Sequence, residues 1–273
     1  YPKSGNTWVR SFLTAYYFCE NGVFDINKLN LIEDYPNKQF FREKVKQGEI
    51  HKHWESSQKD IRDEKKVKFL KTHNSLITAF GNDFTKPEYS LGVIYVIRDP
   101  RNVITSVKNH NDLDSYGEAL KFMKDENKVL EDYPHLKNYA KTNIINSWRI
   151  NYRSWLSNKS FRRVTIRYED MVKNPSQTFE KLVVFVNNLM RFDNKIDPEK
   201  LNNAIETTNF KSLQNIENEG NFGENVYSLK DNRKIKFFYQ GPENDWKKNL
   251  DESMIKKMNE YYQDDLKFFQ YES

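Results

Sequence analysis

Residues 91–97 read Leu-Gly-Val-Ile-Tyr-Val-Ile, a short and nearly continuous apolar run. A run of this length, rich in β-branched residues, fits a strand buried on both faces, the pattern of a parallel sheet covered by helices. Parallel strands cannot be joined by a tight turn and need long, usually helical, return connections. Arg98-Asp99-Pro100 follows at once. A carboxylate before a proline at the first helical position marks a helix start. This strand-to-helix turn predicts an α/β fold.

The rest of the chain agrees. Asn174-Pro175 and Asp197-Pro198 repeat the capping arrangement, and Phe179, Leu182, Val183, Val186 and Leu189 recur behind Asn174 at helical spacing. Helices are also expected over 7–20, 102–110, 116–128 and 143–157, with a C-terminal helix through Met254, Met258, Tyr261, Asp265 and Phe269. Further strands are expected over 67–71 and 163–168, and a long loop over 214–231. No repeat or low-complexity linker divides the chain, so residues 1–273 read as one domain.

The net charge of +5 admits a polyanionic ligand, but acids are interleaved with the bases, which argues against a nucleic-acid stripe. A single cysteine, Cys19, allows no internal disulfide and fits a reducing, cytoplasmic setting, with Cys19 as a small buried hydrophobe. No stretch approaches the roughly 18 apolar residues of a membrane span, and no leader is visible.

In open α/β sheets ligands bind outside the carboxyl ends of strands, so those ends are where chemistry is sought. Tyr1 to Trp8 read YPKSGNTW: a lysine, a small-residue turn and a hydroxyl, but with Lys3 ahead of Gly5, unlike a P-loop. Preceded by a strand, Lys3 to Thr7 form a strand-to-helix turn whose N–H groups face an anion, with Lys3 as point charge and Ser4 or Thr7 as hydroxyl. Such a strand is expected upstream of Tyr1, and a protein starting at Tyr1 is expected to be poorly stable without it. Taken alone, the segment also reads as a plain loop capping a helix.

Three further segments stand at strand or loop ends. Arg98 ends the buried strand and Ser106 lies about two helical turns on; a guanidinium there suits a phosphate. The plainer alternative is an Arg98–Asp99 surface pair. Lys71-Thr72-His73 puts a lysine and a histidine on one face, and a neutral histidine there can accept a proton near neutral pH. Residues 237–247 set Gly241 among aromatics before Trp246-Lys247, either a polar loop over a ligand or a turn anchored by Trp246.

Together and in this order, from Tyr1 to about Lys247, these segments resemble the cytosolic-type sulfotransferases that use 3′-phosphoadenosine 5′-phosphosulfate (PAPS). YPKSGNTW is similar to that family's 5′-phosphosulfate loop, Arg98 and Ser106 to its 3′-phosphate site, and Lys71-Thr72-His73 to the element bearing its catalytic base. Tyr168-Glu169-Asp170-Met171 is similar to the segment whose tyrosine contacts the nucleoside; Thr208 and Phe210 fall where adenine-contacting residues stand. The chain departs from the pattern in three places. Asn6 replaces a commoner threonine. Tyr239-Gln240-Gly241 stands where Arg-Lys-Gly is usual, leaving Gln240 an amide and Gly241 a backbone group toward the 3′-phosphate. The dimerisation pattern after Trp-Lys is not convincingly present.

The resemblance implies a P-loop-like parallel sheet flanked by helices and direct transfer of a sulfuryl group to a hydroxyl or amine, releasing PAP without a metal. His73 would be the base, Lys3 would stabilise the leaving 5′-phosphate, and Lys71 would assist on the sulfuryl oxygens. Ser4, Gly5, Asn6, Thr7 and the loop amides would hold the 5′-phosphate, with Trp8 beside the adenine. A small-molecule or glycan acceptor is implied, with no nucleic-acid or membrane partner; its pocket is expected around 37–59, 74–89 and 214–231. Arg42, Lys44 and Lys46 would suit an acidic acceptor or a solvated helix face. Two alternatives stay open: a non-catalytic PAPS/PAP-binding relative, and a P-loop small-molecule kinase with Asp99 on Mg²⁺.

Overall fold

A computed structural model of the chain describes residues 1–41, 49–131, 142–193, 195–224, 226–228 and 230–271. Arg42, Lys44 and Lys46 lie outside the described residues. The chain opens with α1 (Asn6–Phe18), then β1 (Glu33–Asp34), α2 (Trp54–Asp63), β2 (Leu70–Lys71) and the hairpin β3 (Thr78–Ala79) and β4 (Asn82–Asp83). Next come β5 (Val93–Ile97), α3 (Pro100–His110), α4 (Tyr116–Lys124), β6 (Val129–Glu131), β7 (Thr142–Ile144) and α5 (Trp148–Ser157). The second half holds β8 (Arg163–Arg167), α6 (Tyr168–Lys173), α7 (Pro175–Met190), α8 (Pro198–Thr207) and α9 (Phe210–Asn218). It closes with β9 (Val226–Tyr227), β10 (Lys234–Ile235), α10 (Trp246–Asn249) and α11 (Glu252–Phe268).

The apolar run forms β5, one of the two strands of its sheet among the described residues. β5 pairs in parallel with β8, from Val93 opposite Arg163 to Ile97 opposite Arg167. Successive side chains of a strand point to opposite faces, and β5 divides accordingly. Tyr95 and Ile97 join a core with Val103, Ile104 and Val107 of α3, Trp148 of α5 and Met258 and Tyr262 of α11. Val96 faces the other way, with Val164 and Ile166 of β8, Phe12 of α1 and Phe179, Leu182 and Val183 of α7. Helices on both faces of parallel strands confirm the α/β expectation. Cys19 is buried, as expected.

Several local expectations are corrected. The 67–71 strand shortens to β2, which pairs in parallel with β1 rather than with β5. A cavity of about 440 Å³ separates β2 from β5, lined by Tyr1, Leu70, Val93, Tyr95 and Phe185 among others. The 143–157 helix starts only at Trp148, because β7 pairs with β6 and Ser147 caps α5 by accepting from the Ile150 N–H at 3.2 Å. α4 stops at Lys124, where Asp125 turns extended. The 214–231 segment begins as helix: α9 runs to Asn218 because Leu213 and Glu217 are buried on its inner face. Asp99 and Asp197 cap their helices by side-chain hydrogen bonds as expected, whereas Asn174 makes none, since the same residue ends α6.

Candidate active site

The opening loop is built for close approach. Gly5, with φ at 106°, sits at the N-terminus of α1 in left-handed backbone, and a Cβ there would stand 2.8 Å from the Tyr168 ring. A side chain would strain the turn and push it off Tyr168. α1 has no side-chain cap and no acidic residue in its first turn, so its leading N–H groups remain available to an anion. Ser4 is fully buried, and its hydroxyl has no hydrogen-bond partner among the described residues. Trp8 packs edge-on against Tyr168, with ring centroids 5.7 Å apart.

Arg98 is the organising side chain. It is 5% exposed and lies 3.9 Å from the centre of the Tyr168 ring. Its Nη2 donates to the Gly241 carbonyl at 2.9 Å, and its Nη1 reaches both Ser106 Oγ and the Lys3 carbonyl at 3.4 Å. Its Nε is buried without a partner among the described residues. The Arg98–Asp99 pair does not form. Asp99 is instead clasped by Arg101, whose Nε and Nη2 lie 3.0 and 2.8 Å from its carboxylate oxygens. Asp99 also accepts from the Arg101 N–H, capping α3, so its carboxylate is committed within the helix start.

The Lys3 ammonium contacts His110 Nδ1 at 3.4 Å and the Phe237 carbonyl at 3.5 Å, and lies 4.0 Å over the Phe237 ring. Burial, with Arg98 close by, lowers its pKa to about 8. Among the described residues neither Lys3 nor Arg98 forms an ion pair. Two buried or half-buried cations without carboxylates, beside a free helix N-terminus and an unpartnered buried hydroxyl, fit an anionic ligand.

The histidine end of the cleft is also assembled. His73 Nδ1 lies 3.1 Å from the Asn6 amide nitrogen. Its backbone N–H donates to Asn143 Oδ1 at 3.2 Å, and its carbonyl accepts from Asn151 Nδ2 at 3.1 Å. Lys71 is paired with Asp34 at 2.8 Å, both side chains largely covered. A single cleft of about 760 Å³ is lined by Lys3, Gly5, Asn6, Thr7, Trp8, Lys71, His73, Arg98, Ser106, Tyr168, Phe210 and Gly241. Residues over 200 positions apart in sequence therefore converge.

Three expected contacts do not reach this cleft. Ser4, fully buried, is absent from its wall. Thr208 is fully buried and donates its hydroxyl to the Ala204 carbonyl at 2.6 Å, because it ends α8 and satisfies that helix. The Gln240 amide exchanges hydrogen bonds with Asn249 at 3.3 and 3.1 Å and is absent from the cleft wall. Gly241 is held tightly: with φ at 54°, a Cβ would lie 2.2 Å from the Phe210 ring. Trp246 anchors the turn in the core, under the Arg101 guanidinium at 4.0 Å. Sequence reasoning missed His110, Asp34 and Asn143. His110 stands four residues after Ser106, one turn along the same helix face.

An α/β sheet with a cationic loop, a strand-end arginine and a histidine around one cleft defines a class, the α/β proteins with an anion site at their strand ends. The Sulfotransferase domain family matches residues 1–270, and the chain belongs to that family. Among relatives, rat sulfotransferase 1E1 is 23% identical, with 98% of this chain and 81% of that protein covered. Mouse sulfotransferase 1 family member D1 is 25% identical over 96% of this chain and 80% of its own length. Mouse sulfotransferase SULT7A1, crystallised with PAP, superposes with a TM-score of 0.57 at 15% identity, covering 97% of this chain and 81% of that one. Retinol dehydratase in complex with androsterone and PAP gives 0.55 at 17%, covering 98% and 79%.

Proposed function

We propose that the protein transfers a sulfuryl group from PAPS to a hydroxyl or amine of a small-molecule or glycan acceptor. The observation that carries this reading is the convergence of the Lys3–Gly5 loop, Arg98 and His73 on one cleft. Membership of the family and the PAP bound in two structural neighbours support it.

Balanced as chemistry, the S–O bond to the 5′-phosphate breaks and its electron pair stays on the phosphate oxygen. A new bond forms from the acceptor heteroatom to sulfur, and the acceptor proton passes to His73. Lys3 meets the charge growing on the leaving oxygen, an effect strongest where water is excluded. Arg98 and Ser106 hold the 3′-phosphate, and the first-turn N–H groups of α1 hold the 5′-phosphate. Positioning and charge stabilisation do most of the work, as in phosphoryl transfer. For His73 to accept at Nε2, its Nδ1 must carry the proton. That requires the Asn6 amide to present its oxygen, an orientation related to the one described by a flip of the amide. Lys71 reaches the sulfuryl oxygens once it turns from Asp34.

The kinase alternative has less support, since the Asp99 carboxylate is clasped by Arg101. Radiolabelled PAPS offered with alcohols, phenols and amines tests the reading. Labelled product with at least one class is expected, and PAP should raise the melting temperature far more than AMP. Equal shifts from PAP and AMP, with no labelled product, would overturn it in favour of a different ligand.

A further inference from the structure

Ser106 and His110 lie one turn apart on α3, and each meets one of the two cleft cations: Ser106 meets Arg98, and His110 meets Lys3. We infer that His110 is a positioning residue for Lys3: its ring Nδ1 accepts from the Lys3 ammonium, keeping that cation charged and fixed in the cleft. Its bearing on turnover rests on the sulfuryl-transfer reading; its effect on Lys3 does not.

Lys3 is poor in side-chain acceptors. Among the described residues it meets, besides His110, only the Phe237 carbonyl at 3.5 Å and the Phe237 ring. Arg98 and Lys71 push the ammonium toward losing its proton, while Glu224 and Glu217 favour keeping it. Neither carboxylate is at liberty to approach. Glu217 accepts from the Phe237 and Phe238 N–H groups at 2.6 and 2.9 Å, and Glu224 is paired with Arg10. Among the described residues, His110 is the neutral side-chain acceptor that the Lys3 ammonium contacts.

The imidazole can only act in this sense. Burial, with Lys3 and Lys71 nearby, lowers its pKa to about 2, so it stays neutral throughout the working range. A neutral ring has one donor and one acceptor nitrogen, and facing an ammonium the acceptor must be Nδ1, which puts the proton on Nε2. The ring is held by its helix and by an edge-on contact with Phe237, centroids 5.8 Å apart. A phenyl ring fills similar space but cannot accept; an asparagine places an amide oxygen near the position of Nδ1.

The test is a titration of Lys3 by ¹³Cε-lysine NMR in the unliganded protein, assigned through Lys3→Arg, in wild type, His110→Phe and His110→Asn. Removing the acceptor should lower the Lys3 pKa by about half a unit or more, and asparagine should restore most of the shift. In His110→Phe the alkaline limb of kcat should move to lower pH by the same amount. Identical Lys3 titration in wild type and His110→Phe overturns the proposal, whether or not any acceptor is ever sulfated. A second readout needs no variant: long-range ¹H–¹⁵N spectra should show His110 neutral with its proton on Nε2 from pH 5 to 8. A proton on Nδ1, or a charged ring near pH 6, also overturns it.

Discussion

Arg98 and Gly241, 143 residues apart, are joined by a 2.9 Å hydrogen bond from the guanidinium to the carbonyl. The same guanidinium reaches Ser106 and the Lys3 carbonyl and covers the Tyr168 ring. One side chain thus ties together the opening loop, the strand end, α3 and the late loop. Arg98→Lys keeps the charge but loses the planar fork, so it cannot span these partners. We expect it to cost about 1–3 kcal/mol of stability and to weaken PAP binding by roughly one to two orders of magnitude. Urea melts and calorimetric titration with PAP check both; unchanged values would show Arg98 to be a bystander.

Gly241→Ala should disturb the cleft from behind. The added Cβ meets the Phe210 ring at 2.2–2.4 Å, in backbone with φ at 54°. Ring or loop must move, and we expect a loss of about 1–3 kcal/mol with weaker PAP binding. Gly220→Ala, where φ is also positive but nothing lies within 4 Å, is the control. It carries backbone strain without a clash, so it should leave PAP binding untouched.

Lys3→Met separates stability from catalysis. The folded-state pKa of Lys3, about 8, lies below its ordinary 10.5. Below pH 8 both folded and unfolded chains carry the proton, and the cost of burying the charge is present in full. Between pH 8 and 10.5 the folded state binds fewer protons, so stability rises with pH across that window. Methionine removes the cost at every pH. We expect Lys3→Met to be more stable at pH 7 by about 1–3 kcal/mol while losing nearly all turnover. In the wild type, turnover should fall as pH rises through about 8. A less stable Lys3→Met protein would contradict the burial argument.

His73→Ala should leave PAP affinity within a few-fold of wild type and reduce turnover by about 10²–10⁴-fold. Strong residual turnover on a good acceptor would remove His73 as the base.

Asp99→Asn preserves a helix cap but strips the buried counter-charge of Arg101, whose side chain is only 1% exposed. Breaking one partner of a buried pair costs about 3–5 kcal/mol. The remaining contacts of Arg101 with Asn259 and Trp246 should hold the loss toward the low end. Chemical denaturation measures it.

The parts of the site readable from sequence were those placed by local rules. An apolar strand run locates Arg98 at its end, and a glycine between a lysine and a helix start locates the opening loop. His73 follows a strand in the same way. What stayed hidden depends on distant partners. Gln240 bonds to Asn249, and Thr208 satisfies its own helix, choices that no spacing announces. Asp34 reaches Lys71 only because two very short strands pair. His110 was the exception, four residues from Ser106 and legible by helix periodicity alone. The boundary error at residues 143–147 has a similar origin, since β7 is held by β6 across the chain rather than by its own propensity.

The pairing of Ile97 with Arg167 makes the next residues, Arg98 and Tyr168, neighbours by construction. A slip of one position would send Val96 and Ile97 to the wrong faces and also part the guanidinium from the aromatic ring. Ligand binding at this cleft therefore works as a gauge of strand alignment. A misregistered but compact chain could keep its helices and would be exposed first by its failure to hold a nucleotide.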